Sequence, residues 1–327
     1  MTSFAQQRFS ILIASLNEIT KKAKRSNDLA SAYYKADARN VIFRLEALCR
    51  IYRHISDKKF FETWYRDFKT MEDWLGSLDH NEAMHNEFSS IREWKASANS
   101  IFGARYNEEL KTLESKLNDE GWLSGEKMKT FSAGLDEQEW SDEMDDREDY
   151  ALHIIEELEK LGEKYDEGEL DPFDLEHGIH EIRRKLRWIS IYAVSANGLI
   201  QLRKSNVMSE HLKDYCTDNI VNSPFCVMPP VIKTQHPVYI QSTHFYALSW
   251  MIQYLGDLKD LGLRYEAAKE LSRHSGKGPA VLSRFKKALP IDPADIGGLA
   301  EIGIDDFFYR DRIPQKIARD ILRTLPA

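Results

Sequence analysis

The chain has 327 residues, enough for one large domain or two of ordinary size, and 42% of them are hydrophobic, which excludes wholesale disorder. Its formal charge of −8 argues against non-specific nucleic-acid binding and bulk membrane binding as the main activity. No apolar run approaches the roughly 18 residues of a membrane span. Cys49, Cys216 and Cys226 show neither disulfide nor metal-type spacing, and Cys49 falls in an apolar helical pattern as a buried hydrophobe. These features predict a cytoplasmic protein.

Apolar residues recur at helical spacing along most of the chain, which predicts an all-α protein. The predicted helices cover 8–23, 34–54, 59–77, 83–101, 105–117, 146–161, 174–204 and 240–272. Proline, which breaks helices, is absent before Pro172. The best strand candidate is the short segment VYIQ at 238–241.

Changes in composition divide the chain into two helical halves. The first half covers 1–135 and the second covers 150–275. Between them, 136–149 carries nine acids and one arginine, and we interpret it as a solvated linker or exposed helix start rather than an acidic docking segment. The proline-containing segment 205–238 is interpreted as an insertion of loops and short helices. The tail, 276–327, has no assigned function and ends in a predicted helix at 313–325.

The most distinctive segment, 174–192, predicts a helix with an apolar face and a basic face. At about 100° per residue, the apolar face is formed by Ile179, Ile182, Leu186, Ile189 and Ala193. The basic face spans an arc of roughly 80° and is formed by His177, His180, Arg184 and Arg187, with Arg183 at its margin. Guanidinium groups pair with phosphate oxygens, and imidazoles add donors whose charge rises near pH 6–7. The pattern is compatible with binding of phosphate or another anion, and a solvated face of i,i+4 pairs is the alternative interpretation.

The two halves repeat the same order of features. In the first half, a basic amphipathic helix at 35–53 precedes Leu-Gly-x-Leu at 75–78, and in the second the basic stripe precedes Leu-Gly-x-Leu at 255–258. The basic face of the first helix carries Lys35, Arg39, Arg50 and Arg53, together with Glu46. Its apolar face carries Ala38, Ile42, Leu45, Cys49 and Tyr52. This duplication predicts two helical bundles related by a pseudo-twofold axis.

These motifs resemble those of the CHAD family, the conserved-histidine α-helical domain. The family helix reads approximately His-x-x-Arg-x-x-x-Lys-x-Leu-Arg-Tyr, and in the second half its positions hold His177, His180, Arg184, Leu186, Arg187 and Trp188. The family segment Leu-Gly-x-Leu-x-Asp-Leu is matched by Leu255, Gly256, Leu258, Asp260 and Leu261. The first-half motif is degraded. Its positions hold Ala36, Arg39, Phe43, Arg44, Leu45 and Glu46, followed by Leu75, Gly76, Asp79 and His80.

The resemblance, which covers roughly 8–275, implies two four-helix bundles and binding of inorganic polyphosphate along a basic surface. It also implies association with polyphosphate granules, as for many family members. The triphosphatase domain fused to some members requires a Glu-x-Glu-x-Lys strand, which this chain lacks. Ala36, Phe43 and Glu46 each remove positive charge from the first half, and Glu46 is expected to repel a polyanion.

Two functions from different classes follow from this sequence. The first is a non-catalytic module that binds inorganic polyphosphate or another phosphate-rich anion without a cofactor. Its predicted contacts are Lys35, Arg39, Arg44, Arg50, His177, His180, Arg183, Arg184 and Arg187. The alternative is a scaffold that keeps the fold, has lost the anion site and docks protein partners through 136–149 or 205–238.

Catalytic and metal sites are weaker interpretations. His177 and His180 have chelating spacing with Asp174 nearby, but the neighbouring arginines oppose a cation. Glu82 and His85 form one Glu-x-x-His element, whereas carboxylate-bridged di-iron bundles need two such elements and two further glutamates. Because the chain has no nucleophile elbow and no P-loop, we expect no enzymatic turnover.

Overall fold

The structure is a computed structural model that describes residues 3–204, 210–232, 236–276 and 278–326. Apart from one two-stranded sheet and connecting loops, these residues form helices, which confirms the all-α prediction. The first seven helices are α1 Phe4–Ala23, α2 Leu29–Lys35, α3 Ala38–Ile55, α4 Lys58–Ser89, α5 Lys95–Ala98, α6 Ala104–Asp119 and α7 Glu126–Asp136. The others are α8 Glu143–Asp166, α9 Glu181–Ser195, α10 Glu210–Lys213, α11 Asp218–Val221, α12 Ser242–Ser275, α13 Gly278–Ala288, α14 Ile296–Asp305 and α15 Ile313–Leu322.

Short elements of other kinds interrupt the α-helices. The strands β1 Ile200–Arg203 and β2 Val238–Gln241 pair in parallel, with Ile200 opposite Val238. π-helical turns cover Asn99–Gly103, Leu175–His180 and Asp306–Arg310. Turns of 3₁₀ helix cover Pro224–Cys226 and Pro293–Asp295. The strand prediction at 238–241 is confirmed, and a helix begins at Ile313 as predicted.

Three predicted helix boundaries are wrong. The predicted helix at 34–54 is broken where Asp37 adopts a left-handed conformation (φ 61°) between α2 and α3. The predicted helices at 59–77 and 83–101 are largely one continuous helix, α4, of 32 residues. The predicted helix at 174–204 begins as a π turn, ends at Ser195 and is followed by β1.

The chain forms two compact units. The first consists of Met1–Ser141 and Arg264–Ala288, and the second of Asp142–Leu263 and Leu289–Ala327. The first half of the predicted acidic linker, up to Asp142, lies before α8, and the remainder forms the first turns of that helix.

The first unit has two centres of apolar packing. In one, Phe9 of α1 packs against Tyr52 and Phe61, with ring centroids 5.3 and 5.7 Å away. The other is assembled from α4, the segment after it, the end of α12 and α13. Its buried members are Met84, Phe88, Trp94, Ala98, Phe102, Ala267, Ala268, Leu271 and Val281.

The second unit packs α8 against α9 and α15, and α15 against β2. Asp320 of α15 connects these parts, because its carboxylate accepts a hydrogen bond from the backbone N–H of Gln241 and lies 2.6 Å from Nδ1 of His244. Asp320 is 6% exposed, so this polar contact is part of the interior. It fixes the junction between β2 and α12, the helix that carries the second Leu-Gly-x-Leu motif.

Candidate anion site

The apolar face predicted for 174–192 is confirmed. Its five members, Ile179, Ile182, Leu186, Ile189 and Ala193, are each at most 1% exposed. Burial of one side of α9 leaves its basic residues on the opposite side, where Arg184 is exposed and Arg183 and Arg187 are half-buried.

The π turn at Leu175–His180 changes the predicted position of His177. Bonds of the i→i+5 type widen this turn, so an angular count of 100° per residue does not hold from His177 to the α9 arginines. Asp174 begins the turn, and its Oδ1 accepts from the backbone N–H groups of Glu176 and His177 at 2.9 and 2.8 Å. The His177 side chain is exposed. Of the predicted basic face, the arginines lie in α9, whereas His177 and His180 both lie in the π turn, and His180 is the histidine close to Arg183 and Arg184.

Gly178 permits the π turn to pack against the preceding loop. A β-carbon at this position would clash with the backbone carbonyl of Asp171. The turn and the loop that leads into it therefore form one closely packed structure immediately before the basic residues. π turns inside helices are frequently found at functional sites.

Arg183 is held against the second Leu-Gly-x-Leu motif. Its Nε donates to the backbone carbonyl oxygen of Ile252 at 3.1 Å. A β-carbon at Gly256 would lie 2.8 Å from the same Nε atom, so the absence of a side chain makes room for the guanidinium group. Gly256 is thus the residue that allows Arg183 to lie across α12.

This part of α9 and α12 carries further lysine and arginine side chains, together with several carboxylates. Glu181 pairs with Arg184 at 2.5 Å and with Lys185 at 3.5 Å. On α12, Lys259 pairs with Asp260 at 2.9 Å and is only 15% exposed. A further carboxylate, that of the exposed Asp257, interacts electrostatically with Arg183. The cationic members of this group, here called the basic cluster, are Arg183, Arg184, Lys185, Arg187 and Lys259.

Lys259 is a member of the basic cluster that the sequence prediction missed. The lysine lies three residues after Gly256, which places it one helical turn along α12 from the contact with Arg183. The signal that could have found it was this spacing from the glycine.

His180 lies among these cations and is 33% exposed. Burial lowers its pKa, and the charges of Lys259, Arg183 and Arg184 lower it further, whereas Glu176 acts in the opposite direction. The Glu176 carboxylate is 3.5 Å from Nδ1, beyond ordinary hydrogen-bond distance. In the ligand-free protein, burial and these cations therefore disfavour the charged form of this imidazole.

Of the first-half candidates, Lys35 lies away from α3. It is the exposed last residue of α2, and the left-handed Asp37 separates it from the start of α3 at Ala38. The predicted shared face of Lys35 with Arg39 and Arg50 on one helix is therefore wrong.

Arg39 is enclosed by carboxylates. Its Nε and Nη2 both donate to Oε1 of Glu72, at 2.9 and 2.7 Å, and its Nη1 pairs with Asp79. The Tyr34 hydroxyl donates to Asp79 at 2.6 Å and to Glu82 at 3.0 Å. Burial acts to lower the pKa of Arg39, but Glu72 and Asp79 together outweigh it and raise that pKa. The neighbouring carboxylates outnumber the single positive charge of the arginine.

The first Leu-Gly-x-Leu motif contacts Arg39 in the same way that the second contacts Arg183. A β-carbon at Gly76 would lie 2.5 Å from Nη2 of Arg39. In both units the arginine bonds to the residue four positions before the glycine, which is the side chain of Glu72 in one case and the backbone of Ile252 in the other. Three positions after the glycine stand Asp79 and Lys259, which have opposite charges.

The chain matches no family model, no curated protein and no solved structure.

Arg44 and Arg50 are half-buried on α3, with Arg50 lying 5.9 Å from the ring centre of Tyr65. Glu46, between them, is 2% exposed. Burial, reinforced by the charge of Glu72, raises the pKa of Glu46 to about 8. The expectation that Glu46 presents a repelling charge to a polyanion is wrong, because its carboxyl is interior and holds its proton at neutral pH. Cys49, one turn further along, is fully buried as predicted.

The predicted site residues thus fall in both units: Lys35, Arg39, Arg44 and Arg50 in the first, and His177, His180, Arg183, Arg184 and Arg187 in the second. In the described ranges, no group of three or more His, Cys, Asp or Glu side chains is arranged to hold a metal ion. His85, the histidine of the Glu-x-x-His element, has a ring nitrogen 2.9 Å from the side-chain oxygen of Asn99. None of the helices that the structure describes is both long and apolar enough to cross a membrane.

Proposed function

We propose that the second unit binds inorganic polyphosphate, or a similar phosphate-rich anion, at the basic cluster. The observation that carries the proposal is the contrast between two equivalent arginines. Arg39 is paired with the carboxylates of Glu72 and Asp79, and Asp79 lies three residues after Gly76. Arg183 donates to the backbone carbonyl of Ile252, and Lys259 occupies the position three residues after Gly256. A lysine at the position where the first unit has an aspartate adds positive charge beside the arginine, and this favours binding of a phosphate oxygen.

The proposed site contains fewer residues than the predicted one, because it is confined to the second unit. In the first unit, the carboxylates around Arg39 repel an anion, so Arg39, Arg44, Arg50 and Lys35 contribute little in this proposal. In the second unit, Arg184 and Arg187 follow Arg183 along α9, and Lys259 adds charge from α12. The role is binding without turnover, in a divergent CHAD-like protein of the cytoplasm that associates with polyphosphate granules.

The test is binding of fluorescently labelled long-chain polyphosphate, measured by anisotropy over a salt series. We expect affinity that weakens steeply with salt, because each basic side chain that binds phosphate releases counterions. The variant Arg184→Ala/Arg187→Ala should lose affinity by about tenfold or more and reduce the salt slope by roughly one for each arginine removed.

The matched control is Arg66→Ala/Arg284→Ala, which removes the same charge from two exposed arginines of the first unit that also pair with carboxylates. This variant should bind like the wild type. Equal losses in both variants would indicate a general charge effect and contradict the site. Failure of the wild-type protein to bind at low salt would refute the proposed function.

A protein-docking role is the second candidate, and exposed apolar residues in the 205–238 insertion favour it. Phe225 and Val227 are 63% and 66% exposed, although Cys226 between them is buried against Ser249. The loop is fastened further along, where the carbonyl of Pro229 accepts from the Gln201 side chain at 2.7 Å. Phe225→Ser/Val227→Ser would leave polyphosphate affinity unchanged and remove association with a protein partner, if docking is the function.

A further inference from the structure

His180 has an unusual position for an imidazole beside an anion site. Its side chain is two-thirds buried, and Nδ1 is buried without a hydrogen-bond partner among the residues that the structure describes. The closest carboxylate oxygen, Oε2 of Glu176, lies 3.5 Å from that nitrogen. A polar nitrogen in this state can gain a proton and a partner without displacing an existing bond.

The groups around His180 favour the neutral ring. From α9, Arg183 and Arg184 face it, and from α12 Lys259 does so. Glu176, on the π turn itself, opposes their effect. Helix α14 also packs on the π turn, and its carboxylates Glu301 and Asp305 line a cleft beside Asp171.

An anion on the basic cluster would reverse this balance. Negative charge next to Arg183, Arg184 and Lys259 offsets the positive field that disfavours protonation of His180, and so favours the imidazolium form. Anion binding and protonation of His180 are thermodynamically linked. An anion that promotes protonation of the ring therefore binds more tightly at lower pH.

We infer that His180 takes up one proton from solvent when the anion binds, so that the basic cluster binds its ligand more tightly as the pH falls below neutrality. The inference rests on the proposed function and adds its regulation. The proton goes to a ring nitrogen of His180, no other bond changes, and the imidazolium adds a positive charge to the cluster.

The experiment is titration calorimetry of the full chain with long-chain polyphosphate at pH 7, in two buffers with different ionisation enthalpies. The internal groups of this probe do not titrate near neutrality, so the difference in heat reports protons taken up by the protein. We expect uptake by the wild type and a dissociation constant that falls by about threefold to tenfold from pH 8 to pH 6.

Three variants separate the possible outcomes. His180→Gln should still bind at pH 8 and lose the proton uptake, whereas His177→Gln, at the exposed histidine three residues earlier, should keep it. Lys259→Gln removes one of the cations that disfavour protonation of the ring, so His180 is protonated more readily before the anion binds and the uptake at pH 7 falls.

Binding without uptake, or equal uptake by wild type and His180→Gln, would overturn this inference and leave the proposed function standing. An absence of binding by the wild type at every pH would overturn both.

Discussion

The guanidinium group of Arg183 on α9 lies against the backbone of Gly256 on α12, where the glycine has no side chain to obstruct it. The same relationship joins Gly76 and Arg39 in the first unit. The two pairs differ in the hydrogen-bond partner of the arginine and in the charge three residues after the glycine, which is Asp79 in the first unit and Lys259 in the second. The two units therefore share the contact between glycine and arginine and differ in the charges beside it.

Substitution of the two glycines should therefore have unequal effects on binding. Gly256→Ala would push Arg183 from its position and weaken polyphosphate binding by a factor of about 3 to 10. Gly76→Ala would displace Arg39, which is already paired with carboxylates, and leave affinity unchanged. Anisotropy titrations of both variants test this, and equal behaviour of the two would contradict the assignment of the site to the second unit.

Removal of the carboxylates around Arg39 should create a second anion site. In Glu72→Gln/Asp79→Asn, the guanidinium loses its charged partners and becomes available to phosphate, so calorimetry with tripolyphosphate should show an additional binding event. The unfolding free energy should fall by about 1–3 kcal/mol, since a largely buried arginine loses its ion pairs.

The control for this gain is Glu62→Gln/Asp73→Asn, which removes equal charge from α4 at acids paired with Arg53, Arg66 and Lys69. A new binding event in the control as well would mean that net charge alone governs binding.

The π turn before α9 should tolerate no side chain at Gly178. Gly178→Ala would drive a methyl group into the carbonyl of Asp171, and because backbone on both sides must move, we expect a loss of at least about 3 kcal/mol in unfolding free energy. The comparison is Gly162→Ala on α8, where the closest atom to a β-carbon is 3.9 Å away. That change should stabilise the protein by about 0.5–1 kcal/mol. Urea denaturation of both variants measures these changes in unfolding free energy. An unchanged stability of Gly178→Ala would show that the turn can open to accept a side chain.

Glu46 should make the first unit less stable as the pH rises. Because its pKa is raised to about 8 in the folded protein, the folded state keeps a proton that the unfolded state releases above pH 4.5. The unfolding free energy therefore falls between about pH 4.5 and 8, by up to about 1.4 kcal/mol per pH unit.

Glu46→Gln removes this dependence and should be more stable than the wild type at pH 8, with a smaller difference at pH 5. Denaturation curves at several pH values measure it. A constant difference between the two proteins from pH 5 to 8 would show that Glu46 does not titrate in this range.

Local periodicity was sufficient to predict the apolar faces, because burial of one side of a helix imposes a regular spacing. The faces built on Ile182 in α9 and on Ile42 in α3 are both fully buried as predicted. The alternating burial of the segment Val238–Gln241 likewise fits its assignment as a strand.

Features that depend on backbone irregularity or on distant partners were not predictable in this way. The left-handed Asp37 and the π turn at Leu175–His180 each change the phase of a helix, and an angular count assumes a constant phase. The partners of Arg39 lie 33 and 40 residues further along, on α4, so its basic face looked unpaired in the sequence. Glu46 looked exposed because a charged residue is seldom buried without a partner.

The division of each unit into two separated segments constrains the order in which the protein can fold during synthesis. The packing around Trp94 in the first unit requires Leu271 and Val281, which the ribosome makes only after α8, α9 and both strands of the second unit. The first unit therefore cannot complete its core until most of the second unit has been synthesised, and part of its apolar surface is uncovered until then. Folding of the two units overlaps in time, and no single cleavage point yields two fragments that each hold a complete core.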